Sequence, residues 1–482
     1  ESSALRVSEV VSRLMDFRSV FSFCTSPDAV RNSLCEDYDK LPLELPTWSC
    51  STESVCLQAA TGCMQDVVVG KGLRPTDLAN AMTAAACSVQ PWIPGSFGVI
   101  KKLQDACGNF GHVDLMQSAL HNKKVAVKQM PNKWVSSSAQ EFEAQNPGAA
   151  ERPWIDFGLL WELNRIHFPY TTELLGIFRD EERTYVVTSL ATEGDLFSWK
   201  ANDLRPGPQR EAMMVPIMGQ VFAAVKWLHD LGIAHRDLSL ENILLTEGGQ
   251  DEAPKVKIID FAMSTLASAV RSEARGKVVY RAPEMYEKEA YDPFLVDAFA
   301  LGVVLFAVAA RDYPWSCTKR GMCKSFDFVL SKGFRAFLRQ RRLRNSEDGT
   351  CLSEVLSPSF AELLEGLLEL SPSRRWALGE ARLDLPDKAR ASALESRWLA
   401  EAAAVTTTAA AEAADISADA DAAVVPQEAA AVTTTTAAEA ADISADADAA
   451  VVPQEVVEGA DPHPLEVPSE RGAVEAGTSS GH

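Results

Sequence analysis

The sequence predicts an α+β protein of two lobes, a small strand-rich lobe followed by a larger helical one. Short strand-like runs come first, at Val99-Ile100, Val125-Ala126-Val127 and Tyr185-Val186-Val187, with glycines between them. Stretches with helical apolar spacing come later, over residues 215–229 and 298–309. Period-two patterns read as strands and periods near 3.6 as helices. Strands grouped before helices argue for segregated layers rather than alternating ones.

Three regions are expected from changes in composition. Residues 1–95 show helical apolar spacing at Val7, Val10, Val11, Leu14 and Met15, and Thr76 is placed to cap a helix running through Leu78, Ala81 and Met82. No chemical motif marks this region, and its role stays open. Six of the ten cysteines fall here (Cys24, Cys35, Cys50, Cys56, Cys63, Cys87). The lack of a C-x-x-C pair argues against a structural zinc site. Two readings of these thiols remain: a disulfide-bonded module, or reduced and partly buried cysteines in a helical region. Residues 96–400 hold the two lobes. From 401 the chain is low in complexity, and residues 402–428 recur almost unchanged at 429–455. Residues 401–482 carry 16 acidic side chains against one arginine, Arg471. With no aromatics, with threonine runs, and with Pro426 and Pro453, this segment is expected to be a disordered acidic tail.

The formal net charge of -21 argues against a general nucleic-acid binder. The most apolar run, residues 298–310, is too short to span a bilayer. The chain opens on Glu1 rather than Met, which leaves room for residues upstream, and no secretory signal is evident in the residues given. The expectation is a soluble, cytoplasmic protein without a membrane span; its oligomeric state is not legible.

The chemistry concentrates in the middle of the chain. In Ala-His-Arg-Asp-Leu-Ser-Leu-Glu-Asn (234–242), Asp237 can accept the proton of an attacking hydroxyl while Asn242 holds a metal ion. In Ile258-Ile259-Asp260-Phe261-Ala262 a second carboxylate, Asp260, follows a β-branched run. It can bridge Mg²⁺ to phosphates, since Mg²⁺ favours few protein ligands plus phosphate oxygens. Val125-Ala126-Val127-Lys128 reads as a buried strand ending in a lysine, which taken alone would be a solvated strand end. Upstream, Gly108 and Gly111 let backbone N–H groups approach phosphate oxygens, a weak signal by itself.

In this order the pieces resemble the eukaryotic protein kinase superfamily, serine/threonine type, over roughly residues 97–380. Ala282-Pro283-Glu284, Asp297, Gly302, Pro372 and Arg375 extend the resemblance. It implies a bilobal protein-kinase fold, with a five-stranded antiparallel sheet and one helix above a mainly helical lobe. It implies ATP and Mg²⁺ as cofactors and protein hydroxyls as acceptors. By the same resemblance Lys128 holds the α/β-phosphates, Asp237 is the catalytic base, and Asn242 and Asp260 bind Mg²⁺. Ala106, Gly108 and Gly111 cover the phosphates. Val113, Ala126 and Leu244 contact the nucleotide, Thr188, Ser189 and Leu190 form the hinge beside adenine, and Asp195 lies near the ribose. Glu284 and Arg375 form a buried structural ion pair. A nucleotide-binding scaffold that transfers nothing is the alternative.

Four departures from the family pattern bear on activity. Ala106 replaces the first loop glycine, and Ala262 replaces the glycine after Asp-Phe, where a Cβ restricts positive φ. The glutamate that should pair with Lys128 falls at Leu159, leaving Asp156, Glu162 or no ion pair. Ser239 stands where the family has lysine and Lys277 where it has threonine, as if the two had exchanged places. Lys277 is then a candidate to neutralise charge on the transferring phosphoryl group, against the plain reading of a surface lysine. Arg236 is the type of arginine that pairs with an activation-segment phosphate in related kinases, with Ser264, Thr265, Ser268 and Ser272 as acceptors or Glu273 in place of phosphate. Glu241 and Asp195 match positions that read basic residues in substrates. The basic run at 334–344 (FRAFLRQRRLR), from Arg335 on to Arg344, is either a solvated helix face or a docking site for an acidic partner or the acidic tail.

Overall fold

β-Branched and aromatic runs build the small lobe around one twisted sheet. A computed structural model describes residues 72–401 apart from 201–203, 250–251, 272, 345–347 and 380–389. The segment 1–71 with five of its cysteines, Ser272, and the tail repeat lie outside the described residues. In chain order the small lobe comprises α1 (Pro75–Cys87), β1 (Gln90–Pro91), β2 (Phe97–Ala106), β3 (Gly111–Ser118), β4 (Lys123–Pro131), the short helices α2 (Asn132–Val135) and α3 (Ala139–Gln145), α4 (Pro153–Arg165), β5 (Leu174–Arg179) and β6 (Arg183–Ser189). The sheet runs β1-β5-β6-β4-β3-β2. The expected five antiparallel strands are β2 to β6. A sixth, two-residue strand, β1, pairs parallel with β5 at the edge, and the lobe carries more than the single helix expected. Along β4, Val125 and Val127 bury against Phe97, Met116, Phe178, Tyr185 and Val187. The period of two therefore turns Ala126 and Lys128 to the opposite, cleft-facing side.

Helix α1 starts two residues earlier than the Thr76 cap predicts. Arg74 is the cap residue, Pro75 takes the first helical position, and the Asp77 carboxylate accepts from the Arg74 N–H at 2.9 Å. Its buried residues Leu78, Ala81 and Ala85 form the inner stripe, and the helix packs on α4 at Gly158, where a Cβ would overlap Met82. The Leu73 N–H also donates to the Leu231 carbonyl at 2.6 Å, tying this end to the large lobe.

The large lobe contains α5 (Leu196–Lys200), α6 (Pro208–Asp230), the antiparallel pair β7 (Ile243–Thr246) and β8 (Lys255–Ile258), a second pair β9 (Val270–Arg271) and β10 (Ala290–Tyr291), then α7 (Pro293–Ala310), α8 (Lys324–Lys332), α9 (Phe334–Gln340), α10 (Leu352–Val355) and α11 (Pro358–Leu367). Helix α7 is longer than the apolar run that marks it. At 18 residues with mean hydropathy 2.2 it is long and apolar enough to cross a membrane, but all of it is buried within the lobe. A helix apolar on every side and packed on every side is a core helix. Its one acid, Asp297, is fully buried and satisfied: it accepts from the His235 and Arg236 N–H groups at 2.7 Å each and lies 3.0 Å from His229 Nε2. That pins the loop after α6, which carries Asp237.

Candidate active site

Four chain segments meet in the cleft between the lobes. From β4, the Lys128 ammonium reaches Asp156 Oδ2 on α4 and Asp260 Oδ1 after β8, each at 3.2 Å. The other Asp156 oxygen accepts from the Phe261 N–H at 2.9 Å, so one carboxylate ties the lysine to the Asp260 turn. Asp156, rather than Glu162, is the lysine's partner; Glu162 pairs with Arg165 at 2.6 Å. The reason is length. Residues 132–152, with α2 and α3, lie between β4 and α4 and bring the aspartate, one turn before Leu159, opposite Lys128.

Burial works against the charge on Lys128, but Asp156, Asp260 and Glu151 together hold its ammonium firmly protonated. Burial lifts the Asp156 carboxyl, with Lys128 offsetting part of the rise. At Asp260 burial also pushes upward, but Lys128, by charge and hydrogen bond, holds that carboxyl below its usual range. Asp260 has left-handed backbone (φ 67°), as does Arg236 (φ 65°), and non-glycine residues held there mark positions fixed by their surroundings.

On the large-lobe side, the Asn242 amide nitrogen donates to the Asp237 carbonyl (2.8 Å) and to Asp237 Oδ2 (3.0 Å). Asp237 Oδ1 accepts from the Lys277 N–H at 3.1 Å. Gly276, at φ 80°, is required just before it, since a Cβ would overlap the Arg236 carbonyl. Lys277 Nζ lies 2.6 Å from Ser239 Oγ and 3.2 Å from Glu241 Oε2. The exchanged pair is therefore in contact beside Asp237. Burial lifts the Asp237 carboxyl, and the Lys277 charge offsets part of that.

Several of the other residues expected to meet nucleotide are neighbours of these in strand register. Val113 is the register partner of Lys128, Ala126 that of Thr188, and Leu244 bridges to Asp195. Val113, Ala126, Thr188, Ser189, Leu190 and Leu244 are all half-buried. Ala106 ends β2 opposite Gly111 in ordinary strand geometry, so it needs no glycine. Gly111 does, because a Cβ would overlap the Gln129 carbonyl of β4. Ala262 lies in a short 3₁₀ turn without positive φ, and its carbonyl accepts from the Arg152 N–H at 2.9 Å. The left-handed residue is Asp260, so the alanine is accommodated without the strain its sequence position suggests.

Asp195 is 2% exposed and accepts from the Ser198 N–H at 2.9 Å, and Glu241 is paired with Lys277. Both carboxylates expected to read basic residues are engaged within the molecule. In the basic run, Phe334, Phe337 and Leu338 are buried, Arg335 pairs with Glu365 (2.6 Å) and Arg341 with Asp312 (2.7 Å), while Arg339, Arg342 and Arg344 are exposed.

Glu151 carries no sequence signal of its own. A Cβ on Gly108 would overlap its carboxylate, and its Oε2 is buried without a hydrogen-bond partner. Burial lifts this carboxyl, Asp260 adds to the rise, and Lys128 offsets part of it. No motif foretells it: only the folding of 146–152 back under the glycine loop brings it there. Among the described residues, no group of three or more His, Cys, Asp or Glu is arranged to hold a metal ion. The donor chemistry that remains, one amide and one carboxylate facing a cleft with several acids and few cations, fits Mg²⁺ shared with phosphates.

Residues 106–384 match the protein kinase domain family, and the chain belongs to it. It is similar to Serine/threonine-protein kinase ppk16 of Schizosaccharomyces pombe, 28% identical over 296 residues, covering 59% of this chain and 40% of that protein. It is similar to Testis-specific serine/threonine-protein kinase 5 of Mus musculus (30% over 210 residues; 42% and 50%) and to CBL-interacting protein kinase 4 of Oryza sativa subsp. japonica (30% over 214 residues; 43% of each). The aligned region spans half or less of the length of these relatives.

Proposed function

We propose that the chain is an active protein serine/threonine kinase that transfers the γ-phosphoryl group of ATP to hydroxyls of protein substrates. The observation that carries this reading is the meeting of Lys128, Asp156, Asp260, Asp237 and Asn242 in one cleft, with the lysine ion pair formed. When bound, Mg²⁺–ATP supplies the phosphoryl group and its electrophilic phosphorus. Lys128, fixed by Asp156, holds the phosphates. Asn242 and Asp260 would hold the Mg²⁺, and the hydrogen bonds from Asn242 to Asp237 aim its amide. Asp237 orients the acceptor hydroxyl and takes its proton. Lys277, held beside Asp237 by Ser239 and Glu241, stabilises negative charge on the transferring group. Gly108 and Gly111 let the loop backbone close on the phosphates, and Thr188 to Leu190 meet adenine.

A nucleotide-binding scaffold without transfer is the second reading. It is favoured by Glu151, whose carboxylate lies beneath the glycine loop. Transfer of labelled γ-phosphate to generic protein substrates separates the two. The wild type is expected to incorporate label and Asp237→Asn to lose roughly 10²-fold or more in kcat. Equal incorporation by both proteins would remove the kinase reading.

A further inference from the structure

Beyond the cleft, a polar cluster joins the catalytic loop to the entrance of α4. Arg236, the neighbour of Asp237, has a side chain only 4% exposed. Its Nη2 donates to Glu273 Oε2 and to the Tyr291 hydroxyl, each at 3.0 Å, and the Tyr291 hydroxyl in turn donates to the Glu273 carbonyl. Arg275, with a side chain 9% exposed, donates through Nε to the same Glu273 oxygen at 2.9 Å. Its Nη1 donates to the carbonyls of Ala149, at 2.7 Å, and Ala150. Three residues after Ala150, α4 begins, carrying Asp156 and hence the Lys128 ion pair.

A buried guanidinium beside the catalytic carboxylate needs a counter-charge, because breaking a buried pair leaves a charge that is costly to keep out of water. Glu273 supplies that charge to two arginines at once. Charge-assisted bonds of this kind are short and strong, and the planar guanidinium can hold a carboxylate and two carbonyls together. Among the described residues, two of the nearby hydroxyls are poorly placed to take a phosphate. Ser264 is 4% exposed and Thr265 pairs by backbone with Ala234, so of those described only Ser268 is exposed.

We propose that Arg275 is a positioning residue: with Glu273 as shared counter-ion it straps the catalytic loop to the entrance of α4, keeping the site assembled with no phosphate on residues 263–281. The strap rests on the kinase reading for its consequence but not for its geometry.

The test uses the full chain after phosphatase treatment, with phosphate content checked by mass spectrometry. Phosphate-free wild type is expected to keep its kcat. Glu273→Gln and Arg275→Ala should each lower kcat about tenfold, and Arg275→Lys should recover part of the loss. Hydrogen exchange should show residues 263–281 protected in wild type, with protection lost in both variants, and lost at 149–156 in Arg275→Ala, while α6 and α7 stay protected as evidence of folding. The strap is overturned if phosphate-free wild type is inert and gains activity only on phosphorylation within 263–281. It is also overturned if both variants keep wild-type kcat and exchange. Exchange needs no turnover: a wild type that transfers phosphate to nothing, yet loses this protection in Arg275→Ala, would sink the kinase reading and leave the strap standing.

Discussion

Lys277 and Ser239 touch at 2.6 Å, which turns an apparent defect of the catalytic loop into a testable exchange. Lys277→Ala is expected to lower kcat roughly 10-fold or more while leaving nucleotide affinity little changed, because its charge acts on the group in transfer. The Lys277 charge also pulls the Asp237 carboxyl down from the value that burial would give it. Removing that charge lets the carboxyl rise, so Asp237 loses its basic form at a higher pH as acidity increases. The acid limb of the kcat profile should therefore move upward in pH. Adding Ser239→Lys to Lys277→Ala should restore much of kcat, and an unrescued double variant would sink the exchange. Glu151 makes the opposite kind of prediction. Its carboxylate meets the glycine loop where phosphates must come, so Glu151→Gln should tighten ATP binding by about tenfold and leave adenosine, which has no phosphates, unchanged. Competition against a fluorescent nucleotide measures both, and weaker ATP binding would make Glu151 a contributor instead of an obstacle. The difference in legibility is physical. Lys128, Asp237, Asn242 and Asp260 sit in short motifs that one local backbone segment presents, whereas Glu151 and Arg275 act through contacts set by how a connecting segment folds across the cleft.

Elements were legible where their own pattern was long enough. The buried face of β4 and the apolar spacing of α6 could be read from their own residues. Strand β1 could not, because two residues, one of them Pro91, hold no periodicity, and only pairing with β5 makes them a strand. The start of α1 departs from the Thr76 cap for a related reason: Thr76 is a cap-forming type, but the Asp77 carboxylate already serves the Arg74 N–H. Nor does its sequence say that α1 docks on α4. That docking depends on Gly158, where a Cβ would overlap Met82, and on Leu78 and Ala85 burying on either side. Gly158→Leu should cost about 1–3 kcal/mol by overpacking and displace α1 from α4. Since α4 carries Asp156, the KM for ATP should rise more than kcat falls. Thermal unfolding and steady-state kinetics on one preparation check both, and an unchanged KM with lowered stability would reduce α1 to a stabilising cover.

At the scale of the whole molecule the site exists only while two differently built lobes hold their places, and the large lobe rests on an ion pair far from the chemistry. The Arg375 side chain is fully buried. Its guanidinium makes a two-pronged contact with Glu284, donates to the Leu295 carbonyl at 3.0 Å and the Glu369 carbonyl at 2.9 Å, and stacks 4.9 Å from the Phe299 ring centre. It thus links the segment after the activation region, core helix α7 and the turn after α11. The resemblance implied the pair but not these further bonds, one to a carbonyl 80 residues away and one to a carbonyl six residues away. Arg375→Ala leaves the Glu284 carboxylate buried without its partner, and the expected loss is about 3–5 kcal/mol. Arg375→Lys should recover little, because an ammonium cannot reproduce the planar fork or reach all four partners at once. Replacing both members, Glu284→Gln with Arg375→Met, should cost less than Arg375→Ala alone, since no charge is then left unpaired. Denaturant unfolding of the three proteins, followed with nucleotide binding at low denaturant, gives the order. Arg375→Ala should bind nucleotide normally while folded, because no cleft residue is touched; a loss of under about 0.5 kcal/mol would place Arg375 among ordinary surface substitutions and remove the pair as the anchor of the lobe.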